Sequence, residues 1–413
     1  MARHRLYLAP GLFGFGRLAT YDYFAHVERA IGKRFRDAGE ELETHVVDVA
    51  PTASIRRRAT RLAELVAKTC GDGGEPIHVL GHSTGGLDAR LVSSPSARLP
   101  LVPKTLDWLP RLRSVTTMST PHYGTPLASF FATVSGQRML YAVSALTFIG
   151  LSLGAPPIAA ASTLVVAIGR IDRALGVELR VLDRTTDALL RALEPASSTE
   201  VREYLDAIRR DQGAVIQLTP EAMDLFIAGV EDRPGVDYQC TCSMAPPPSA
   251  QKLARSLTSP WRAISGALFT TLYGITSRYD ERYPCAPPDP GPEAEKILET
   301  GLGRAPGARA NDGVVPTLSQ IWGRIVWAGM ADHLDVLGHF PGPDAPKRGF
   351  LGRLFGSPEE AAEIAAAGEG VAPPSDADAV HVDWLRSGAG FDERSFGAVM
   401  DAVASGMLRS HRA

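Results

Sequence analysis

The chain has 413 residues, of which 45% are hydrophobic and 22% charged, with a formal net charge of −3. That length can bury a large core, and the composition is ordinary for a globular protein. The near-neutral balance argues against a nucleic-acid footprint, and four cysteines in so long a chain do not make a disulfide framework. Cys240 and Cys242 alternate on one strand and share a face. Cys285 could pair with one of them, although free buried thiols are the simpler expectation.

The N-terminus runs straight into a strand, and its apolar stretch is too short for a secretory core region, which predicts a cytoplasmic protein, the alternatives being a leader already lost or secretion by another route. Residues 6–9 read as a buried strand ending in the glycine-rich loop Pro10-Gly11-Leu12-Phe13-Gly14-Phe15-Gly16. A helix is expected over 23–38 and a second strand over 45–49. Residues 55–69 carry Ile55, Ala59, Leu62, Leu65 and Val66 at helical spacing. Residues 77–80 form a short apolar run, followed by Gly81-His82-Ser83-Thr84-Gly85-Gly86 and a helical pattern over 87–92.

Glycine, any residue, serine, any residue, glycine between strand and helix predicts a nucleophile elbow. The turn is so tight that its flanking residues must lack bulk, which glycine at 81 and 85 satisfies. The serine hydroxyl then stands above the sheet, beside the first amides of the helix. A further strand is expected over 115–119, followed by Thr120-Pro121-His122-Tyr123-Gly124-Thr125-Pro126. Strands alternating with helices predict an α/β protein with a mostly parallel sheet covered on both faces.

From 126 to about 230 the pattern is helical only, with Thr219 as an N-cap and Pro220 at the first helical position. Strand character returns at 236–243 and 325–328. The expected organisation is a core of 1–125 and 231–340, a helical cap or lid inserted over 126–230, and a C-terminal extension over 341–413 with a closing helix at 395–408. Residues 139–169 contain no charged side chain. Gly150, Gly154 and Pro156-Pro157 cut that stretch into pieces of about a dozen residues, short of the ~20 needed to cross a bilayer. It reads as two buried cap helices, or as a lid whose apolar faces meet lipid when open.

A serine nucleophile needs a base and an acid, and in this fold the chain order is serine, acid, histidine. Of the ten histidines, those at 4, 26, 45, 78, 82 and 122 precede the acid candidates or sit in the sheet, and His381 and His411 lie in the tail. His333, in a loop directly after a strand, is preferred to His339, which is expected on a following helix. Asp312, in the turn sequence Asn311-Asp312-Gly313, stands upstream in the required order. The amides of Leu12 and Thr84 are the expected oxyanion donors. Gly14-Phe15-Gly16-Arg17-Leu18-Ala19 fits a loose dinucleotide fingerprint, but no acidic residue ends a second strand at the expected offset, and Asp48 comes late.

Taken together, Pro10-Gly11-Leu12, residues 81–86, residues 115–124, Asn311-Asp312-Gly313-Val314-Val315 and His333-Leu334-Asp335 resemble the bacterial triacylglycerol lipases of the α/β-hydrolase superfamily. The resemblance implies Ser83 as nucleophile, Asp312 as acid, His333 as base, Leu12 and Thr84 as oxyanion donors, and a lid in the helical insert. No cofactor is implied for the chemistry. A structural calcium is implied, with Asp335 and Asp289 among its ligands. Two positions depart from the family. Pro10 stands where a histidine is usual, and His339 stands where a glutamine completes the calcium set, although imidazole suits a hard cation poorly.

The expected function is hydrolysis of a carboxylic ester through an acyl-enzyme, that of a triacylglycerol lipase, on a lipid or other ester substrate. The alternative within catalysis is a polyhydroxyalkanoate depolymerase or an acyltransferase using the same triad. The alternative of another class is a non-catalytic hydrolase-fold binding protein, which has no need of all three residues.

Overall fold

A computed structural model describes residues 2–12, 17–18, 21–50, 52–152, 195–249, 260–340 and 385–412. Its main sheet has six parallel strands, β1 (Arg3–Ala9), β2 (Glu41–Val46), β3 (Ile77–His82), β4 (Leu112–Met118), β5 (Asp237–Met244) and β6 (Arg324–Met330). They lie in the order β2-β1-β3-β4-β5-β6. The described helices are α1 (Ala25–Asp37), α2 (Ile55–Thr69), α3 (Thr84–Ser93), α4 (Pro126–Phe131), α5 (Val134–Ser152), α6 (Pro195–Arg210), α7 (Gly213–Gln217), α8 (Pro220–Gly229), α9 (Pro260–Thr276), α10 (Pro292–Leu302) and α11 (Glu393–Arg412).

The central strands are apolar on both faces because helices cover both. Leu6, Leu8 and Leu80 pack with Phe24, Val27, Ile31 and Phe35 of the α1 side and with Val399, Met400, Val403 and Met407 of α11. Tyr7, Ala9, Ile77 and Val79 point the other way, onto Ala59, Leu62 and Val66 of α2 and Ala89 and Val92 of α3. Each such fully buried aliphatic side chain contributes roughly 1.5–3 kcal/mol. Helix α2 occupies the range that its periodicity predicts, and Ser54 caps it by accepting from the Arg57 amide at 3.3 Å. The closing helix α11 is longer than its predicted range and belongs to the same core as α1.

The second strand is displaced from its expected position. The apolar pair Val46-Val47 and Val49 suggest 45–49, whereas the strand is Glu41–Val46. It is an edge strand, half-exposed along most of its length, so polar residues fill it. Val47 and Val49 are buried just beyond its end, against α2. The buried valines therefore mark the turn rather than the strand.

The described part of 126–230 is helical, and Thr219 caps α8 with Pro220 at its first position. Over the sheet, Leu127 and Phe131 of α4, Met139, Leu140 and Val143 of α5, and Leu205 and Ile208 of α6 form one apolar cluster. Leu268, Phe269 and Leu272 of α9 join it, although the sequence places α9 in the core segment. Helix α5 runs through Gly150 to Ser152. The second uncharged piece, beyond residue 152, lies outside the described residues, as do the glycines of the dinucleotide-like pattern and the stretch 341–384. Among the described residues no helix is long and apolar enough to cross a membrane. All four cysteines are free and buried, and Cys240 and Cys242 face Leu298 and Leu302 of α10.

Candidate active site

Register brings the first two loops together. Ala9 at the end of β1 pairs with Gly81 in β3, so the loop after Ala9 and the turn after His82 emerge side by side at the carboxyl end of the sheet. That end is where α/β proteins bind ligands.

The turn at Ser83 has no room for side chains beside it. A Cβ on Gly81 would stand 2.2 Å from the carbonyl carbon and oxygen of Gly85, and one on Gly85 would stand 2.0 Å from the Ala9 oxygen. Ser83 itself has φ 54° and ψ −129°, a conformation that costs a non-glycine residue of order 1–3 kcal/mol. Its amide donates to the Met118 carbonyl at 2.8 Å, which ties the strained residue to β4. Ser83 is the N-cap of α3, and Thr84 is the first helical residue. The elbow geometry predicted from the glycine spacing is therefore present.

Asp312 hangs from the end of β5. Ala245 donates its amide to the Asn311 carbonyl at 2.9 Å, and the Thr317 hydroxyl donates to the Ser243 carbonyl at 3.0 Å. The carboxylate is fully buried but well supplied with donors. Oδ1 accepts from the amides of Val314 (2.9 Å) and Val315 (2.7 Å). Oδ2 accepts from the Ser243 hydroxyl (3.2 Å) and the Gln320 amide group (3.3 Å). Its remaining partner is His333 Nδ1, at 2.9 Å.

His333 follows β6, and the Ala331 amide, donating to the Met244 carbonyl at 3.1 Å, holds that loop against β5. With Nδ1 on Asp312, Nε2 is the ring nitrogen left for a reacting group. Ser83 and His333 line one cavity together with Gly11, Leu12 and Thr84. The cavity encloses about 840 Å³, part of it open to solvent, and its other walls are almost wholly apolar, including Leu127, Phe131, Val143, Leu272 and Leu385. His339 is placed elsewhere. It follows a short 3₁₀ turn (Asp335–Leu337) and Gly338 at φ 99°, not a helix as expected, and its ring stands against His26.

The two residues matched to a calcium site have separate partners. Asp289 accepts from the Gly291 amide at 2.8 Å in an exposed turn before α10, and buried Asp335 accepts from the Asp332 amide at 2.8 Å. Among the described residues no three His, Cys, Asp or Glu side chains are grouped as a metal would need.

Several site residues escape the sequence reading. Ser243 and Gln320 support Asp312, as described. Tyr23 and His82 lie on the other side of His333. The Tyr23 hydroxyl is 2.7 Å from His82 Nδ1, and His82 Nε2 is 2.9 Å from the His333 carbonyl oxygen. Burial, reinforced by the neighbouring His333, holds the His82 pKa well below its ordinary value, so this imidazole is neutral. Arg58 pairs with buried Asp88 at 2.9 Å and also donates to the Pro10 carbonyl, anchoring the loop before Gly11. Adjacency to Ser83 was the available sequence signal for His82; nothing local marks Tyr23.

No family model matches the chain. Over 93 residues it is 31% identical to the triacylglycerol lipase of Vibrio cholerae serotype O1, a stretch covering 22% of this chain and 28% of that protein. The match thus spans less than a third of that relative's length. Among solved structures, the chain is similar to EstA from Clostridium botulinum, at 19% identity over 82% of this chain and 83% of that one, with a TM-score of 0.47. It is similar also to the lipase of Staphylococcus hyicus, at 17% identity over 81% and 89%, with a TM-score of 0.43. By its parallel sheet and its serine elbow the chain is an α/β-hydrolase in fold, and it is lipase-like in the stretch shared with the Vibrio protein.

Proposed function

We propose that the protein hydrolyses carboxylic esters through an acyl-enzyme on Ser83, with His333 as general base and Asp312 as its orienting acid. The observation that carries this reading is the His333 Nδ1–Asp312 Oδ2 bond of 2.9 Å in a residue that shares an apolar cavity with Ser83. Ser83 Oγ attacks the ester carbonyl and gives its proton to His333 Nε2. The tetrahedral oxyanion is held by the main-chain amides of Leu12 and Thr84. Its collapse expels the alcohol, which takes the proton from His333. Water, deprotonated by the same imidazole, then releases the acid and restores the serine.

The cavity favours an apolar acyl group. Its walls come in part from α4, α5, α7 and α9, and among the described residues that line it the ionisable side chains are those of Tyr23 and His333. A long-chain acyl ester, of which a triacylglycerol is the nearest case, is therefore the proposed substrate. The helices above the cavity are proposed as a lid. Apolar surface gains about 25 cal/mol for each Å² removed from water, so an aggregated ester would favour an open form.

A chain-length series of p-nitrophenyl esters, assayed with and without emulsified triglyceride, tests the reading. Turnover should rise from acetate to medium and long chains. It should climb disproportionately once the substrate passes its solubility limit. Preference for acetate, with plain saturation through that limit, would contradict both the acyl assignment and the lid.

A further inference from the structure

The groups around His333 form a one-way hydrogen-bond chain that the triad does not need for its own chemistry. The carbonyl oxygen of His333 only accepts, so His82 donates to it from Nε2–H (2.9 Å). The neutral ring then offers a lone pair at Nδ1, and the Tyr23 hydroxyl donates to it (2.7 Å). The Tyr23 oxygen in turn accepts the Gly11 amide (3.3 Å). Every donor and acceptor along this path has a fixed direction.

We propose that Tyr23 and His82 are positioning residues, and that their relay from the Gly11 amide to the His333 carbonyl sets the oxyanion loop and the base loop at one fixed separation across Ser83. This inference rests on the proposed roles of Ser83, His333 and Leu12.

Further observations support it. The relay is largely buried, Tyr23 being 5% and His82 0% exposed. Main-chain atoms of His333 are held on both sides, its amide by the Asp312 carbonyl at 3.0 Å and its carbonyl by His82. The oxyanion loop is likewise held from two sides, by Arg58 at Pro10 and by Tyr23 at Gly11. A Cβ on Gly11 would stand 2.9 Å from Ser83 Cβ and 3.0 Å from the Tyr23 hydroxyl oxygen, so no side chain at position 11 could accompany this arrangement. The rings of His82 and His333 are 4.7 Å apart. When His333 becomes an imidazolium during turnover, its charge disfavours a second charge on His82. The relay then keeps its direction through the step in which it is needed.

The test uses Tyr23→Phe, His82→Gln and the double variant, with Ser83→Ala as control. Kinetics are measured on p-nitrophenyl butyrate, inhibition by butylboronic acid (which forms a tetrahedral adduct on a serine), and Tm. Loss of alignment should lower kcat of Tyr23→Phe roughly 10–100-fold. KM should stay within about twofold, since apolar binding of the substrate is untouched. The boronic acid should weaken in step with kcat. The double variant should be hardly worse than His82→Gln, because the two side chains act as one unit.

A purely structural role would lower Tm and leave kcat, at temperatures well below Tm, within about twofold of the parent. That result, or losses that multiply in the double variant, would overturn the relay. Turnover surviving in Ser83→Ala would instead remove the site reading, and the relay with it.

Discussion

Asp312 and His333 are joined twice. The carboxylate oxygen Oδ2 is 2.9 Å from His333 Nδ1, and the main-chain amide of His333 donates to the Asp312 carbonyl at 3.0 Å. The first bond selects the ring tautomer with the proton on Nδ1, and the second fixes the backbone from which the ring projects. Because both residues hang from the ends of neighbouring strands β5 and β6, the sheet itself sets their separation.

Asp312→Asn should therefore preserve much of the geometry but offer an N–H where the imidazole needs an acceptor. The ring would turn to the other tautomer and present a proton to Ser83. For the proposed triad, a kcat loss of about 10⁴-fold is expected. Near-parent kcat in Asp312→Asn, measured with a short soluble ester, would mean that the carboxylate does not orient the base.

Strain at Ser83 is the second testable point. Its φ of 54° is a conformation that glycine adopts without cost. Ser83→Gly should therefore be inactive yet more stable than Ser83→Ala by about 1 kcal/mol, the relief of strain outweighing the greater freedom of the unfolded chain. Denaturant unfolding of the two variants decides it. Equal stabilities would show that the elbow stores no strain.

The protein should also lose stability in mild acid, through a histidine pair far from the site. His4 Nδ1 is 3.0 Å from His78 Nε2, both rings are buried, both pack against Phe35, and the His4 ring also meets that of His411. Burial lowers His4 to about 4 and His78 to about 3, with His411 adding repulsion and Glu40 partly opposing it at His4. Unfolded histidines take protons near pH 6.5. Between that pH and the folded values the unfolded state binds more protons, so stability falls as pH falls. Each ring should remove on the order of 3 kcal/mol by pH 4, and Tm of His78→Asn should depend less steeply on pH over this window. A Tm that is flat from pH 6.5 to 4 in the parent would contradict the assignment.

Leu385 bears on substrate choice. It comes from the C-terminal segment, yet it lines the cavity and packs in the apolar cluster above the sheet. Leu385→Trp fills part of the cavity proposed to take the acyl chain. It should lower kcat/KM for a long-chain p-nitrophenyl ester about tenfold or more relative to the butyrate. An unchanged ratio would place the acyl chain elsewhere.

How much of this was legible before the structure differs from residue to residue, for physical reasons. The elbow was legible because its geometry is local, since a turn this tight dictates glycine at 81 and 85. Helix α2 was legible because its buried residues recur at helical spacing on one face. The edge strand Glu41–Val46 is not legible because an open edge does not demand an apolar run. The sequence suggests a helix at His339 because nothing in it announces the left-handed Gly338 that turns the chain away. Tyr23 and His82 were missed because their roles arise from a contact across 59 and then 251 positions. The support of Asp312 by Ser243 is equally non-local, across 69 positions.

The central claim is that Ser83 is the nucleophile of an ester-cleaving triad. It is tested most directly by reacting the folded protein with a p-nitrophenyl alkylphosphonate and locating the adduct by peptide mass spectrometry. One phosphonyl group on Ser83, with activity lost in proportion to labelling and no labelling in His333→Ala on the same timescale, is the predicted result. An adduct on another residue, or full ester turnover in a protein whose Ser83 stays unmodified, would contradict it.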